Sequence, residues 1–545
     1  MSNAEIELKL LLPGADVDAI ETQLKQWPTL ARRRSTQVWL SNIYYDTPDQ
    51  SLRRQRHALR MRRISGQADG GSGDLADAGG TWVQTFKSAG VSQGGLSQRG
   101  EWESQERSSQ LNPVPLRATP WAALDPDGRL FETLQPCFET RCRRTLWTLR
   151  RYRGASIELA LDVGEIVAGG RTQPLLELEL ELKSGPREAL FHLAHALAQG
   201  VAVLPCDASK AERGYQLAQG GEDAVRIARA IRLAPGVSPL QAAHQVLGEA
   251  FEHFSRNLSA LLVLDAVEVV HQARVAWRRW HSAWALFSPW LPDGAAPQGL
   301  KPLLDALGHL RDLDVLGAGT LDRWLPVYVD GDAVRQRAAQ RLLRRVDAAR
   351  AMQRAQVRSL LAQPDTGMAL LAMAHALFEV ASLVQAATDH PAAPEGTLDP
   401  QSGGESKKKD RKKKKGKREE QLKVTAQSKG KRGKRGKRKL SPWALARIDH
   451  LQHRMNRAIR AGSSPQASPA ELHRARIRAK RTRYATEMLR DVLPARRARA
   501  LIREATGVQS RVGEERDLAQ AVALLSALRA DGQLLAFFRG LVAAQ

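Results

Sequence analysis

Cysteine is scarce in this chain: Cys137, Cys142 and Cys206 are the only three among 545 residues. An odd count with no Cys-x-x-Cys pair excludes a disulfide framework and suits a reducing compartment, the cytoplasm. The amino-terminal Met-Ser-Asn-Ala-Glu-Ile-Glu lacks the basic and apolar regions of a signal peptide. Long hydrophobic runs are missing too. The most membrane-like stretch, Met368–Ala387, is rich in Ala and carries His375, Glu379 and Gln385. It reads as a buried helix, and no membrane partner is expected. Lysine is rare outside one tract. Of 21 Lys, fourteen fall between Ser406 and Leu440, and only Lys9, Lys25, Lys87, Lys183, Lys210, Lys301 and Lys480 lie elsewhere, against 62 Arg in all. A chain that otherwise writes Arg draws attention to each remaining Lys.

The same tract holds most of the charge. The formal net charge is +25, and Ser406–Leu440, with 19 Lys/Arg and 3 Asp/Glu, supplies +16 of it. The rest is only mildly basic, which argues against a uniformly basic nucleic-acid coat. The tract has no aromatic residue to stack on bases, so it offers non-specific, salt-sensitive attraction to a polyanion such as DNA, RNA or polyphosphate. Elsewhere the composition, 43% apolar and 26% charged, is that of folded domains. At about 100–200 residues per domain, the length predicts several of them.

Residues 1–218 read as mostly β, with short apolar stretches alternating with polar residues, and Gly66–Gly80 reads as a flexible loop. Residues 219–236 form a Gly/Pro-punctuated linker. From 237 to 545, Ala, Leu and Arg recur at helical spacing. An insert at 387–440, first Pro/Gly-rich and then Lys/Arg-rich, interrupts this region, and its composition predicts disorder. The helical text also repeats itself. His271-Gln-Ala-Arg274-Val-Ala-Trp-Arg278 parallels His473-Arg-Ala-Arg476-Ile-Arg-Ala-Lys480, and Arg311-Asp312-Leu313 parallels Arg516-Asp517-Leu518. The His-to-Asp separations, 41 and 44, are nearly equal, which implies a duplicated helical unit.

Two stretches place acids at period two. Glu5-Ile-Glu7-Leu-Lys9 puts two carboxylates and an ammonium on one strand face, and Glu177-Leu-Glu179-Leu-Glu181-Leu-Lys183 repeats the pattern with three acids. A solvent-exposed face alternates in the same way, but like charges stacked along one face repel. Two such strands make more physical sense lining an enclosed polar lumen with a divalent cation such as Mg2+, whose ligands are carboxylate oxygens. Arg60 and Arg62, Lys87, Arg99, Arg141 and Arg144 are the cationic counterpart, and together with the acids they describe a site for a metal-bound polyanion. The adjacent Arg141, Arg143 and Arg144 leave open which of them faces inward. On helices, His271, Arg274 and Arg278 fall on one stripe, as do His473, Arg476 and Lys480. A solvated charged face is the plain reading of one such stripe; two at matching offsets favour a polyanion groove.

With these residues in view, the first ~217 residues resemble the CYTH domain of the triphosphate tunnel metalloenzyme family. The likeness runs through Glu5-x-Glu7-x-Lys9, Asn42-Ile-Tyr-Tyr-Asp46, Leu59-Arg60-Met-Arg62, Thr85-Phe-Lys87, Gln98-Arg99-x-Glu101, Glu158-Leu-Ala-Leu-Asp162, Glu177-Leu-Glu-Leu-Glu-Leu-Lys183 and Ser209-Lys210-x-x-Arg213-Gly-Tyr215. The helical part resembles the CHAD domain. The resemblance implies an α+β multidomain chain: an eight-stranded antiparallel barrel with a charged tunnel, then an all-α domain of two pseudo-repeated helical bundles. It implies divalent-metal-dependent hydrolysis of inorganic triphosphate, with Mg2+ or Mn2+ held by Glu5, Glu7, Glu177 and Glu179. Lys9, Glu179 and Glu181 would be catalytic. Lys9, Arg60, Arg62, Lys87, Arg99, Arg144, Lys183 and Lys210 would bind triphosphate. His271, Arg274, Arg278, His473, Arg476 and Lys480 would bind inorganic polyphosphate. The competing readings are a non-catalytic polyphosphate-binding protein and a hydrolase of another triphosphate, ATP or thiamine triphosphate.

Overall fold

The structure, a computed structural model, describes residues 4–14, 16–66, 80–220, 225–292, 299–389, 440–464, 466 and 468–544. Most of the Gly66–Gly80 loop, part of the linker, and residues 390–439 of the expected disordered insert lie outside the described residues.

Among the described residues, ten strands form the amino-terminal part: β1 (Ala4–Leu11), β2 (Ser35–Asp46), β3 (Ala58–Ser65), β4 (Thr81–Lys87), β5 (Val91–Gln93), β6 (Leu96–Glu106), β7 (Gln135–Tyr152), β8 (Ala155–Ala168), β9 (Arg171–Ser184) and β10 (Leu204–Pro205). Eight of them close a ring in the order β1-β9-β8-β7-β2-β3-β4-β6, with β6 pairing back onto β1 and every pair antiparallel. Closure removes the sheet edges, and β5 and β10 are short additions to the rim. The alternation legible in β1 and β9 then has a physical meaning. Leu8, Leu10, Leu178 and Leu180 point outward into an apolar cluster and are fully buried there, while the intervening charged residues point inward.

Among the described residues, three helices of nine residues or more pack near the barrel: α1 (Val17–Gln26), α2 (Glu188–Ala198) and α3 (Lys210–Ala218). Helix α3 lies over β7, β8 and β9, and it starts at Ser209, whose side chain caps the Glu212 amide. Gly214 lets it come close: a Cβ there would fall 2.2 Å from the Phe138 ring.

The remaining long helices are α4 (Pro239–Ala260), α5 (Val267–Phe287), α6 (Lys301–Val315), α7 (Ala333–Leu361), α8 (Pro364–Asp389), α9 (Leu440–Gly462), α10 (Pro469–Met488), α11 (Ala495–Ala527) and α12 (Gly532–Ala543). At the edges of the expected insert, α8 continues to Asp389 and α9 begins at Leu440. Helices α4 and α5 pack as a pair, α9 and α10 as another, and α5 lies against α10. One apolar cluster runs without a break from the outer leucines of the barrel through α2 into α4, α5, α8, α9 and α10. A second joins the end of α6 to α7, α11 and α12. By length and composition α8 could cross a membrane, yet half of its apolar window is buried inside the protein. It docks on α2 and β10, with the His375 ring stacked on Phe191 at 4.9 Å. Gly367 lies so close to the chain at Val203 that a Cβ would fall 2.4 Å from the Val203 carbonyl oxygen.

Candidate active site in the barrel lumen

Cross-strand register stacks the inward side chains in layers. Across β1 and β9, Glu7 faces Glu181 and Lys9 faces Glu179. Across β8 and β9, Asp162 faces Glu177 and Glu158 faces Glu181, and Arg144 of β7 faces Asp162. On the far wall Asn42 faces Arg62, Lys87 faces Glu101, and Arg99 faces Glu5. Such facing residues share one side of the sheet. The result is a cavity of about 330 Å³ lined by Glu5, Glu7, Lys9, Arg60, Arg62, Lys87, Arg99, Arg144, Glu179, Glu181, Lys183 and Lys210. Glu177 sits one layer deeper, only 1% exposed.

The charges are paired in a pattern. Glu5 accepts from Lys87 at 2.9 Å and Arg99 at 3.0 Å, and Glu7 from Lys9 at 2.8 Å and Arg99 at 3.1 Å. Arg60 lies 3.4 Å from Glu101. Lys183, at the open end, bridges Glu158 at 3.0 Å and Glu181 at 2.7 Å. In the deep layer Arg144 holds Asp162 at 2.6 Å and Glu179, and Arg213 holds Glu177 at 3.2 Å. Lys210 touches Glu177 and lies 2.8 Å from both Asp162 and Glu179.

The ammonium of Lys210 therefore stands where three carboxylates converge. Asp162, Glu177 and Glu179 can each offer one oxygen with all three within 4.8 Å of one another. This all-oxygen, anionic donor set suits a hard divalent cation, and the convergence on a cationic group already shows that positive charge is stabilised at that point.

Arg62 is the exception. Among the described residues no carboxylate lies within ion-pair distance of it, and its Nε donates to Asn42 Oδ1 at 2.7 Å. Burial, then the Arg60 and Arg144 charges beside it, push its pKa down to about 10. The acids respond differently. Burial opposes ionisation of Glu5, but Lys87 and Arg99 overcome it and hold the carboxyl well below its ordinary range. Burial likewise opposes ionisation of Glu179 and Asp162. Lys210 and Arg144 outweigh it at Glu179, and Arg144 and Lys210 at Asp162, so both are lowered. Glu181 goes the other way: burial pushes its pKa up, assisted by Glu5 and Glu158.

The structure decides among the three clustered arginines. Arg144 points inward. Arg141 does not reach the lumen: it is exposed and pairs with Glu139 at 2.7 Å. Arg143 also faces outward, to Glu21 of α1. Alternation along β7 separates them, since even positions face in and odd positions out. Sequence reasoning missed Asp162 and Arg213 as part of the charged cluster, and Glu101, Glu103 and Glu158 as part of the lining. Asp162 had a signal: it follows Glu158 by four residues, so on a strand the two acids share a face.

In the helical half, Arg274 and Arg278 of α5 line a groove of about 460 Å³ together with Trp277 and with Asp305, His309 and Asp312 of α6. Burial and the neighbouring Arg311 push the pKa of His271 down. His473, Arg476 and Lys480 occupy corresponding positions on α10, which packs against α5, but they do not line this groove. Asp314 is a structural ion pair, buried against Arg350 at 2.9 Å. The side chain of Asp517 lies outside the described residues.

Residues 3–215 match the family model of the CYTH domain, and residues 245–526 that of the CHAD domain. The inorganic triphosphatase of Haemophilus influenzae is 32% identical over 215 residues, which are 39% of this chain and 54% of that protein. The chain therefore spans about half the length of this curated relative. Among solved structures, the CHAD domain from the plant Ricinus communis is similar at 24% identity and a TM-score of 0.43, covering 58% of this chain and 90% of that one. A candidate adenylyl cyclase from Hippeastrum, reported with a dominant triphosphatase activity, is similar at 19% identity and a TM-score of 0.26, covering 38% of this chain and 94% of that one.

Proposed function

Because the chain belongs to the CHAD domain family and carries a CYTH domain at residues 3–215, we propose that its barrel hydrolyses inorganic triphosphate to pyrophosphate and phosphate with a divalent cation, Mg2+ or Mn2+. The helical domain binds inorganic polyphosphate, and the protein works in the cytoplasm. The observation that carries this reading is the charge plan of the lumen, where eight cationic side chains and seven carboxylates line one cavity. The site is near balance before any ligand enters. A triphosphate brings about four negative charges at neutral pH, so its entry alone would leave a strongly negative, poorly solvated site. A dication restores the balance, and Asp162, Glu177 and Glu179, with Glu5 and Glu7, are the residues that would hold it.

The cations take the phosphate chain. Arg60, Arg62, Arg99 and Arg144 present forked donors to phosphate oxygens, and Lys9, Lys87, Lys183 and Lys210 act as point charges along it. Arg62 donates to a phosphate oxygen without first giving up a carboxylate; each of the others exchanges one anion for another. When bound, the dication neutralises charge and polarises the phosphoryl oxygen it touches. Glu181, whose carboxyl is raised, takes the proton of the attacking water, while Lys9 and Glu179 hold that water and the terminal phosphoryl group in line. Positioning and electrostatics do most of the work in such a transfer. In the helical half, Arg274 and Arg278 with the His271 ring supply one run of hydrogen-bond donors, and Arg476 and Lys480 with His473 a second. The Lys/Arg-rich insert adds non-specific attraction for polyanions, nucleic acid included.

The deciding experiment measures phosphate release from triphosphate, ATP, thiamine triphosphate and long polyphosphate, with and without Mg2+. Metal-dependent release with triphosphate as the best substrate is expected. Absence of release from all four would leave an anion-binding protein and overturn the enzymatic reading.

A further inference from the structure

A second cavity, of about 510 Å³, lies where the barrel meets the linker and α4. Its size is that of a small-molecule site. One wall is apolar and comes from both halves of the chain, with Leu11, Leu12 and Leu176 from the barrel side and Ile227, Leu262 and Val263 from the other. Ile227 and Val263 are 65% and 59% exposed, an unusual state for large apolar side chains beside an open cavity.

The same lining carries cationic side chains that are under-compensated. Arg226, Arg229 and Arg256 converge on a single carboxylate oxygen, Glu252 Oε1, at 3.3, 4.0 and 3.1 Å. Arg256 also grips Glu212 through both of its terminal nitrogens, so three guanidiniums share two carboxylates. Asp207, the other acid of the wall, is already occupied by the amides of Gly94 and Gly95 and the hydroxyl of Ser92. The Nε of Arg226 is buried and has no hydrogen-bond acceptor, and that of Arg256 faces only the Glu252 oxygen already shared by the other two guanidiniums. Guanidiniums that outnumber their carboxylates, in a cavity whose lining is otherwise largely apolar, fit a ligand with one acidic head group and an apolar body. The cavity also reaches the lumen chemistry. Arg213 lines it and holds Glu177 of the carboxylate trio, and the same helix α3 carries Lys210 and Glu212.

We propose that this junction cavity binds an amphipathic organic anion, and that its occupancy alters the barrel site through Arg213. The binding half is independent of whether the barrel hydrolyses anything. It is tested on the full chain with anilinonaphthalene sulfonate, a fluorescent apolar anion, as probe. Saturable enhancement at one site is expected, weakened about tenfold or more by Val263→Glu and by Arg226→Gln. Val114→Glu, at an exposed valine outside the cavity, should leave it unchanged, and circular dichroism checks that each variant is folded. Decanoate and decyl phosphate should displace the dye, the stronger competitor identifying the preferred head group, whereas decanol should not. Wild-type dye binding in both cavity variants, or displacement by decanol as strong as by the anions, would overturn the site. For the coupling half, calorimetric affinity for tripolyphosphate in the absence of metal should shift about twofold or more with saturating decanoate. An unchanged affinity would refute the link through Arg213.

Discussion

Lys210→Met probes the convergence of the three lumen carboxylates directly. The ammonium touches Glu177 and lies 2.8 Å from Asp162 and Glu179, and all four side chains are largely withdrawn from water. Removing one partner of a buried ion pair costs about 3–5 kcal/mol, because the opposite charge stays buried without compensation. Here Arg144 still holds Asp162 and Glu179, and Arg213 still holds Glu177. The lower end, about 3 kcal/mol, is therefore expected. At roughly 2 kcal/mol per molar of urea, the barrel transition would move down by about 1.5 M. A dication entering the vacated point should restore much of this, since a ligand at a hundred times its Kd stabilises by about 2.7 kcal/mol. In the wild-type protein the same ion must first displace the ammonium, so its stabilising effect should be smaller. The assay is urea unfolding followed by far-UV circular dichroism, with and without Mg2+, for both proteins. A variant that unfolds at the wild-type urea concentration, or equal stabilisation of the two proteins by Mg2+, would refute the reasoning.

Glu177→Gln should lower triphosphate turnover at least about a hundredfold, an effect of about 2.7 kcal/mol on the barrier, while the barrel stays folded; a wild-type rate of phosphate release would remove Glu177 from the site. Arg62→Gln should leave the urea midpoint unchanged or higher, since a half-buried cation without a carboxylate contributes little to stability, yet raise KM for triphosphate about tenfold, and an unaltered KM would count against Arg62 as a phosphate ligand. Glu5, Asp162 and Glu179 have carboxyl groups held below their unfolded values, so the stability they contribute is fully present above about pH 4.5 and is lost as pH falls through the depressed folded values. The urea midpoint should therefore decline on acidification below that pH, and a midpoint that rises there would contradict the pairing. Gly367→Ala should loosen the seat of α8 on the barrel, costing about 1–3 kcal/mol by overpacking, visible as a lower thermal midpoint; an unchanged midpoint would show that this contact gives way freely.

Much of the site is legible in the sequence because a strand is a simple ruler. Acids two apart in Glu5-Ile-Glu7 and Glu177-Leu-Glu179-Leu-Glu181 must share a face, and the intervening Ile and Leu must share the other. What escaped were residues whose roles depend on a neighbour far along the chain. Asp162 shares its strand face with Glu158, and only its register opposite Glu177 makes it part of the trio. Arg213 lies three residues from Lys210 on a helix whose sequence does not say that it lies across the barrel. The adjacent Arg143 and Arg144 were ambiguous in composition but not in space, because one is paired with α1 and the other with the deep carboxylates.

The chain's pattern by itself determined that two strands carry charged faces, that a helical unit is duplicated, and where the basic insert lies, since these depend on residues near one another in sequence. Tertiary structure alone decided which charges meet. Closing β6 onto β1 brings Arg99 to Glu5, and laying α3 across β8 and β9 sets Lys210 among Asp162, Glu177 and Glu179. Electrostatic interaction depends on distance and on exclusion of water, and neither quantity exists along a chain until it has folded.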